Sequence, residues 1–161
     1  MNTHSQSIGL PAALAAVTNP GLFAALLLPI TGAAAAQTVA TGHRDLLLQA
    51  DHSWNGLAYT HYPQGQPQLT MIKLTIPAHT ALPWHYHPFP NAGYVLSGEL
   101  TLEDRQTGKK QTFRTGQSFA ESVNDIHRGV SGSTPTTLLL TYAGTPSVPT
   151  SIPAKGEKPE Y

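Results

Sequence analysis

The stretch PWHYHPFPNAGYVLSGEL, residues 83–100, places two histidines, His85 and His87, one residue apart among prolines. In a β-strand, side chains at i and i+2 leave the same face, so both imidazoles would point one way, about 7 Å apart. Two imidazoles on one buried face are costly unless something binds their lone pairs, and imidazole suits iron, nickel, copper and zinc. The pair therefore predicts part of a metal site, which needs a third ligand.

The candidate third ligand is His127, in AESVNDIHRG at residues 120–129. It follows a hairpin and further turns, after which an antiparallel sheet could bring it beside the first pair. The other histidines have no partner at ligand spacing and are interpreted as structural or surface residues: His4, His43, His52, His61 and His79.

After residue 45 the chain favours short strands separated by turn residues. Residues 69–76, LTMIKLTI, alternate threonine and lysine with leucine and isoleucine, which is typical of a half-buried strand. Residues 44–50 fit either a short strand or a single helical turn. The predicted strands are 57–62, 68–76, 93–98, 99–104, 110–116, 117–122, 127–132 and 136–144. Strands in this number with regular turns predict an antiparallel sandwich or barrel.

The spacing around the first two histidines resembles the first motif of the cupin superfamily, G-x5-H-x-H-x3,4-E-x6-G. In this chain the motif positions are His79 in the place of glycine, His85, His87, Asn91 in the place of glutamate, and Gly98. Every spacing of the motif is kept.

The region around His127 is similar to the second cupin motif, G-x5-P-x-G-x2-H-x3-N. Its positions are Gly116, Ser122 for proline, Asn124 for glycine, His127, and Ser131 for asparagine. The two motifs cover residues 79–131, and the flanking strands extend the resemblance to about 57–144. The resemblance implies an all-β, antiparallel jelly-roll (cupin) barrel.

The resemblance also implies a site for one divalent transition metal (Fe, Mn, Ni, Cu or Zn) bound by His85, His87 and His127. In the family, the glutamate of the first motif often completes this site, whereas Asn91 holds that position here. An amide oxygen is neutral and a weaker donor than a carboxylate. Asn91 is therefore expected to be a fourth ligand or a hydrogen-bonding neighbour of the ligands.

Glu121 and Asp125 are the carboxylates nearest in sequence to His127. Each is expected to form a surface salt bridge more often than to orient the His127 ring or carry a proton. No catalytic residue is identified, and the sequence lacks a G-x-S-x-G nucleophile elbow.

Charge and composition exclude several function classes. Lysine plus arginine and aspartate plus glutamate number 9 each, so no net field attracts nucleic acid, and none is expected as a partner. The chain has no cysteine, which excludes disulfides and thiolate ligands. A transition-metal site must then use histidine, carboxylate or amide ligands.

The first part of the chain is a charge-free leader, because every charged residue lies at or after Arg44. Residues 21–36, GLFAALLLPITGAAAA, resemble the apolar region of a signal peptide and end in small residues. We expect a signal peptide over 1–36, a cupin β-barrel domain over 37–144, and an extended, proline-rich C-terminal tail over 145–161. The alternative for the leader is an apolar N-terminal helix or uncleaved anchor, with the protein then cytoplasmic if it is not exported.

The leader predicts an exported protein, periplasmic or secreted. The resemblance implies a cupin with metal-dependent, oxygenase-type (dioxygenase-like) chemistry on a small organic molecule. One alternative is a non-catalytic periplasmic cupin that binds metal or a small ligand. Another is a structural barrel whose histidines no longer bind metal. Cupins often pair through barrel edges, so a homodimer is the expected assembly.

Overall fold

The computed structural model describes residues 41–161, and these form strands, turns and irregular segments without a helix. Accordingly, this part of the chain includes no helix with the length and apolarity of a membrane span. The leader over 1–36 lies outside the described residues. The strands are β1 (Gln68–Ile76), β2 (His85–Tyr86), β3 (Asn91–Ser97), β4 (Glu99–Asp104), β5 (Lys110–Arg114), β6 (Ser118–Ala120), β7 (His127–Ser131), β8 (Thr136–Gly144) and β9 (Ile152–Pro153).

The strands form two antiparallel sheets, with orders β1-β8-β3-β6 and β5-β4-β7-β2-β9. Consecutive strands repeatedly change sheet, as β3 and β4 do, and again β6, β7 and β8. This alternation between two facing sheets is the jelly-roll arrangement. The all-β jelly-roll prediction is confirmed.

The core lies between the sheets and is built from alternate residues of the strands. In β8 the alternation buries Leu138, Leu140 and Tyr142, while Leu139 and Thr141 are only partly buried. The sequence pattern predicts that these two sets face opposite ways, and the structure places the first set inside. Burying a side chain of this size contributes about 1.5–3 kcal/mol. Tyr142 on this inner face lies with its ring 5.4 Å from that of His87, so the inner face of β8 borders the site described below.

Two expectations for the region before β1 are wrong. Residues 57–62 form no strand, and their only sheet-like contact is an isolated bridge between His52 and Ala58. The backbone turns back there, because the Ser53 amide donates to the Leu57 carbonyl at 2.8 Å. Residues 44–50 form neither a strand nor a helical turn and are exposed.

The two positions where the family has glycine and this chain does not keep the backbone that glycine permits. His79 has a φ of 52° and Asn124 a φ of 55°, and they are the two non-glycine residues with positive φ among residues 41–161. Histidine and asparagine adopt this left-handed conformation more readily than most residues. Gly98 has a φ of 84°, and a Cβ there would lie 2.6 Å from the Pro135 carbonyl oxygen. The motif positions therefore share a backbone requirement.

Candidate metal centre

Strand pairing brings the three histidines together. His85 in β2 is the direct antiparallel partner of His127 in β7, so their side chains leave the same face of the sheet. His87 lies two residues beyond His85 on that face. The ring centroids are 5.0 Å apart for His85 and His87, 4.9 Å for His85 and His127, and 5.1 Å for His87 and His127. One ring nitrogen of each lies within 4.8 Å of the others, close enough to share an ion.

Each imidazole is oriented by a hydrogen bond from Nδ1 to a backbone carbonyl. Nδ1 of His85 donates to Pro83 at 2.8 Å, and Nδ1 of His127 donates to Asp125 at 2.9 Å. Nδ1 of His87 donates to Thr150, in the segment before β9, at 2.7 Å. A carbonyl oxygen only accepts, so the Nδ1 atoms carry the protons and, in a neutral ring, Nε2 keeps its lone pair. The same arrangement is common in histidines that bind metals.

Glu121 is buried beside His87 and His127, whereas a surface salt bridge was expected from the sequence. It follows β6, and its side chain is 7% exposed, with Oε2 at 2.8 Å from Nε2 of His87. Its other oxygen lies 3.9 Å from Nε2 of His127. Despite the short distance, Nε2 of His87 and Oε2 of Glu121 make no aligned hydrogen bond, and Nε2 of His127 is likewise buried without a partner.

These unpartnered atoms test whether the residues fit a metal. A ring nitrogen without a proton and a carboxylate oxygen are both acceptors, so their lone pairs repel at 2.8 Å. Only a cation, which is either a proton or a metal ion, relieves that repulsion. Three imidazoles and a carboxylate also match the donors that divalent transition metals prefer. The donor set therefore fits a divalent metal.

Burial and charge set the pKa values of these groups. Burial alone would lower the pKa of His87, but the Glu121 carboxylate and the Thr150 carbonyl raise it. Burial would raise the pKa of Glu121, but His87 and the other two rings hold it down to about 2. Burial lowers the pKa of His127 to about 4. At neutral pH Glu121 is therefore a carboxylate and His127 a neutral donor.

Asn91 is buried beside Glu121. It is 5% exposed, and neither its amide oxygen nor its amide nitrogen has a hydrogen-bond partner. The Glu121 amide donates to the Asn91 carbonyl at 3.3 Å, so the two residues are neighbours on adjacent strands. Its role as a ligand or as a neighbour of the ligands stays a prediction. The carboxylate that the first motif lacks is instead present one strand away.

A polar network supports the loop before His127. Asn55 donates to the carboxylates of Asp104 at 2.8 Å and Asp125 at 2.9 Å, and Ser122 Oγ donates to Asn55 at 2.9 Å. Asp125 thus orients His127 through its backbone carbonyl, while its carboxylate is held by Asn55. The expected surface salt bridge of Asp125 is replaced by this network.

A second carboxylate comes from the proline-rich tail. Oε2 of Glu160 lies 3.3 Å from Nε2 of His85, and the side chains are 4% and 2% exposed. Sequence reasoning missed this residue, because 73 positions separate it from His87 in the first motif and 33 from His127 in the second. The usable indication was weak: Glu157 and Glu160 both lie near the C-terminal end of a segment otherwise rich in proline and small residues.

The remaining described histidines lie outside the cluster. His43 and His52 pair with their own neighbours Asp45 and Asp51, at 3.2 and 2.6 Å. His61 bonds Thr60 Oγ1 at 2.8 Å. His79 is exposed in the turn described above. Their structural interpretation agrees with these positions, and His4 lies outside the described residues.

A groove on the surface of the described residues is separate from the histidine cluster. It has a volume of about 570 Å³ and is lined by residues from the 48–62 region and from β3 and β8, including Asn91 but none of the three histidines. We place the functional site at the histidines because their unpartnered donors, unlike the groove lining, have a specific chemical requirement.

The family model for the cupin domain matches residues 72–142, a range that contains all three histidines, Asn91 and Glu121. Over residues 72–142 the chain is therefore similar to the cupin domain. Thr150 and Glu160 lie beyond the matched range, so the surroundings of the histidines are completed by a segment that the family model does not cover.

Similar solved structures are distant in sequence. The DMSP lyase DddQ from Ruegeria pomeroyi DSS-3 is 18% identical with a TM-score of 0.46, over 50% of this chain and 41% of that one. The polyketide cyclase RemF from Streptomyces resistomycificus is 17% identical with a TM-score of 0.46, over 53% and 60%. An RmlC-like cupin from Shewanella frigidimarina NCIMB 400 is 21% identical with a TM-score of 0.43, over 56% and 73%. The chain spans less than two thirds of the lyase and the cyclase. No curated protein sequence matches.

Proposed function

We propose that this cupin binds one divalent transition metal (Fe, Mn, Ni, Cu or Zn) through His85, His87, His127 and Glu121, and uses it for oxygenase-type chemistry on a small organic molecule. The observation that carries the metal site is the 2.8 Å approach of two acceptors, Nε2 of His87 and Oε2 of Glu121, inside a buried cluster. A metal ion shared with the other two rings would make that approach favourable, as a proton on Nε2 of His87 also would.

The residues have separate roles in this site. When bound, the metal would serve as a Lewis acid or activate dioxygen. The carbonyl partners of Nδ1 keep the three Nε2 lone pairs directed at one point. Glu121 brings one negative charge, which leaves a divalent ion with three neutral rings at a net charge of +1. The Tyr142 ring, 5.4 Å from that of His87, helps to keep water from the rings.

Elemental analysis of protein purified without added metal tests the site. About one metal ion per chain is expected in the wild type. His127→Ala should lose the ion, because only two of the three imidazole ligands remain. His61→Ala is the matched control, since His61 lies outside the cluster and should keep the metal. Absence of metal from both the wild type and His127→Ala would refute the proposal.

A metal-binding cupin without catalysis is the second candidate, and one observation favours it. Glu160 already covers the Nε2 atom of His85, at 3.3 Å, so the site is closed in this structure. Oxygen consumption by the metal-loaded protein, measured with a panel of diketones, thiols and phenols, separates the two. Turnover that disappears in His127→Ala supports the oxygenase, and stoichiometric metal without turnover supports the binding protein.

We also propose that the protein is exported. The support is the charge-free leader of residues 1–36 with its small residues at 34–36. N-terminal sequencing of the exported protein should begin near Gln37. An intact Met1 on cytoplasmic protein would contradict export without affecting the metal site.

A further inference from the structure

Residues 155–161, which we call the closing segment, leave the sheet and return to the histidines. Before it, β9 pairs with β2, and the Ala154 amide donates to the Trp84 carbonyl at 2.8 Å. The chain then turns at Gly156, with a φ of 86°, and the Glu157 amide donates back to the Ala154 carbonyl at 2.9 Å. The turn reverses the chain and brings Glu160 to the cluster.

The side chain of Glu160 lies inside the site. Its Oε2 is 3.3 Å from Nε2 of His85 and accepts a hydrogen bond from Ser151 Oγ at 2.8 Å. The adjacent Tyr161 hydroxyl lies 2.9 Å from Thr150 Oγ1 and donates to the Tyr142 hydroxyl at 3.4 Å. A glutamate that is 4% exposed has given up its hydration for these partners.

The closing segment is attached much less firmly than the residues before it. Residues 150–154 carry the carbonyl partner of His87, the β9 ladder and the Ala154 backbone bond. Within the described part of the chain, no backbone hydrogen bond involves residues 158–161. Residues 158 and 159 are also exposed. Segments with few backbone bonds and exposed neighbours open at the lowest free energy.

We propose that Glu160 is an internal, displaceable carboxylate ligand that occupies the place of a small carboxylate substrate, and that the closing segment opens when that substrate binds. This inference rests on the proposed metal site. A divalent ion with three neutral histidines and Glu121 keeps a net charge of +1, which Glu160 neutralises. Exchange of Glu160 for a carboxylate monoanion leaves that charge balance unchanged, whereas a neutral ligand would leave the buried charge uncompensated.

The short chain segment that joins Glu160 to β9 sets the strength of this competition. Glu160 lies six residues beyond Ala154, whose amide is bonded to the carbonyl of Trp84 immediately before β2. A ligand on a short flexible linker acts at an effective concentration on the order of millimolar. A free carboxylate must exceed that competition before it is bound. Removing the Glu160 carboxylate should therefore strengthen the binding of a free one.

Acetate titration of Co²⁺-loaded protein, followed by the visible absorption of the metal, tests the inference. Glu160→Gln keeps the size of the side chain and removes its charge. We expect its half-saturating acetate concentration to be about tenfold below that of the wild type. Ser151→Ala, which removes the hydrogen bond to Glu160, should shift it in the same direction by about two- to threefold. Glu157→Gln, a change in the same segment but outside the cluster, should match the wild type.

The outcomes separate this inference from the proposed function. Co²⁺ bound by all four proteins, with equal half-saturating acetate concentrations, would overturn the role of Glu160 and leave the metal site standing. Equal visible spectra of the wild type and Glu160→Gln before acetate is added would do the same. Failure of the wild type and Glu160→Gln alike to bind Co²⁺ would overturn both, because no site would remain for Glu160 to close.

Discussion

The histidines and the carboxylates reach the same cluster by different means. His85 and His127 are direct partners in the sheet, and all three imidazoles donate to backbone carbonyls. Glu121 follows the short strand β6, and Glu160 is held by Ser151 and by its approach to His85. The backbone therefore fixes the neutral donors, while side chains supply the negative charge and can vary or move.

Two deletions of different length at the C-terminus should show the largest difference between the donors fixed by the backbone and the carboxylates supplied by side chains. Removal of residues 150–161 eliminates β9 and the carbonyl that orients His87. With several backbone hydrogen bonds lost, we expect a loss of about 2–4 kcal/mol in stability and weak Co²⁺ binding. Circular dichroism during heating and a Co²⁺ titration measure the two effects.

The matched deletion removes only residues 157–161 and keeps β9. It should retain Co²⁺ binding and most of the thermal stability, because the retained residues 150–154 make the bonds to β2 and His87. Equal losses in the two deletions would contradict the division between a fixed backbone and a displaceable side chain.

Glu121→Gln should have the next largest effect. The amide keeps the shape of the side chain but removes the charge beside His87 and His127. We expect the dissociation constant for Co²⁺ to rise about 10- to 100-fold. Isothermal titration with Co²⁺ measures it.

Glu103→Gln is the control for this change. Glu103 is also a buried carboxylate, but it pairs with Lys110 at 2.5 Å and Arg128 at 2.7 Å, on the other side of β7 from the histidines. Its replacement should lower stability and leave the Co²⁺ dissociation constant unchanged. An unchanged constant in Glu121→Gln as well would remove Glu121 from the ligand set.

The histidine half of the site could be predicted from sequence because it depends on local geometry. The i, i+2 rule places His85 and His87 on one face, and the alternation in β8 predicts one inward set. The many short strands and regular turns predict an antiparallel sandwich or barrel, and the resemblance of the two motifs implies the jelly roll. The conformations of His79 and Asn124 explain how two motif glycines can be absent without loss of the fold. These features need only neighbours in the chain, whereas His127 was added to the predicted site through the spacing of the second motif and reaches it by the pairing of β7 with β2.

The carboxylate half depends on which distant strands become neighbours. Glu121 enters the site because β6 pairs with β3 in the register that joins Ala120 to Ala92. Glu160 enters because β9 pairs with β2. Neither register can be obtained from hydrophobic alternation. A useful indication existed for Glu121, since it adjoins an apolar stretch near the second motif in a chain whose first motif lacks its acid.

A fall in pH should weaken the polar network that supports the loop before His127. The effect should be smaller than that of Glu121→Gln. Burial tends to raise the pKa of Asp104, but the amides of Thr107 and Gln106 and the side chain of Asn55 hold it below the ordinary value. Because the folded pKa is depressed, the carboxylate stabilises the fold above the unfolded value of 3.8. That stability is lost as the pH falls through the folded pKa.

Asp104→Asn should therefore lower the free energy of unfolding by about 1 kcal/mol at pH 7 and flatten its decline on the acid side. Urea denaturation at pH 7 and at low pH measures both. Asp45→Asn is the control, because Asp45 is exposed and belongs to the irregular segment before β1. If the variant and the wild type decline equally in acid, Asp104 does not supply this stability.

Exchanging the positions of the acid should have the smallest net effect and is the sharpest test of what Asn91 means. Asn91 and Glu121 are backbone neighbours, joined by the 3.3 Å hydrogen bond from the Glu121 amide. In the double variant Asn91→Glu with Glu121→Gln, the carboxylate returns to the position that the first motif assigns to it. We expect Co²⁺ affinity within about threefold of the wild type, so the two changes should be strongly non-additive.

Asn91→Gln with Glu121→Gln controls for size without charge and should stay as weak as Glu121→Gln alone. Equal weakness of both double variants would mean that the site requires a carboxylate at position 121 itself, and that an acid at position 91 in β3 cannot replace it.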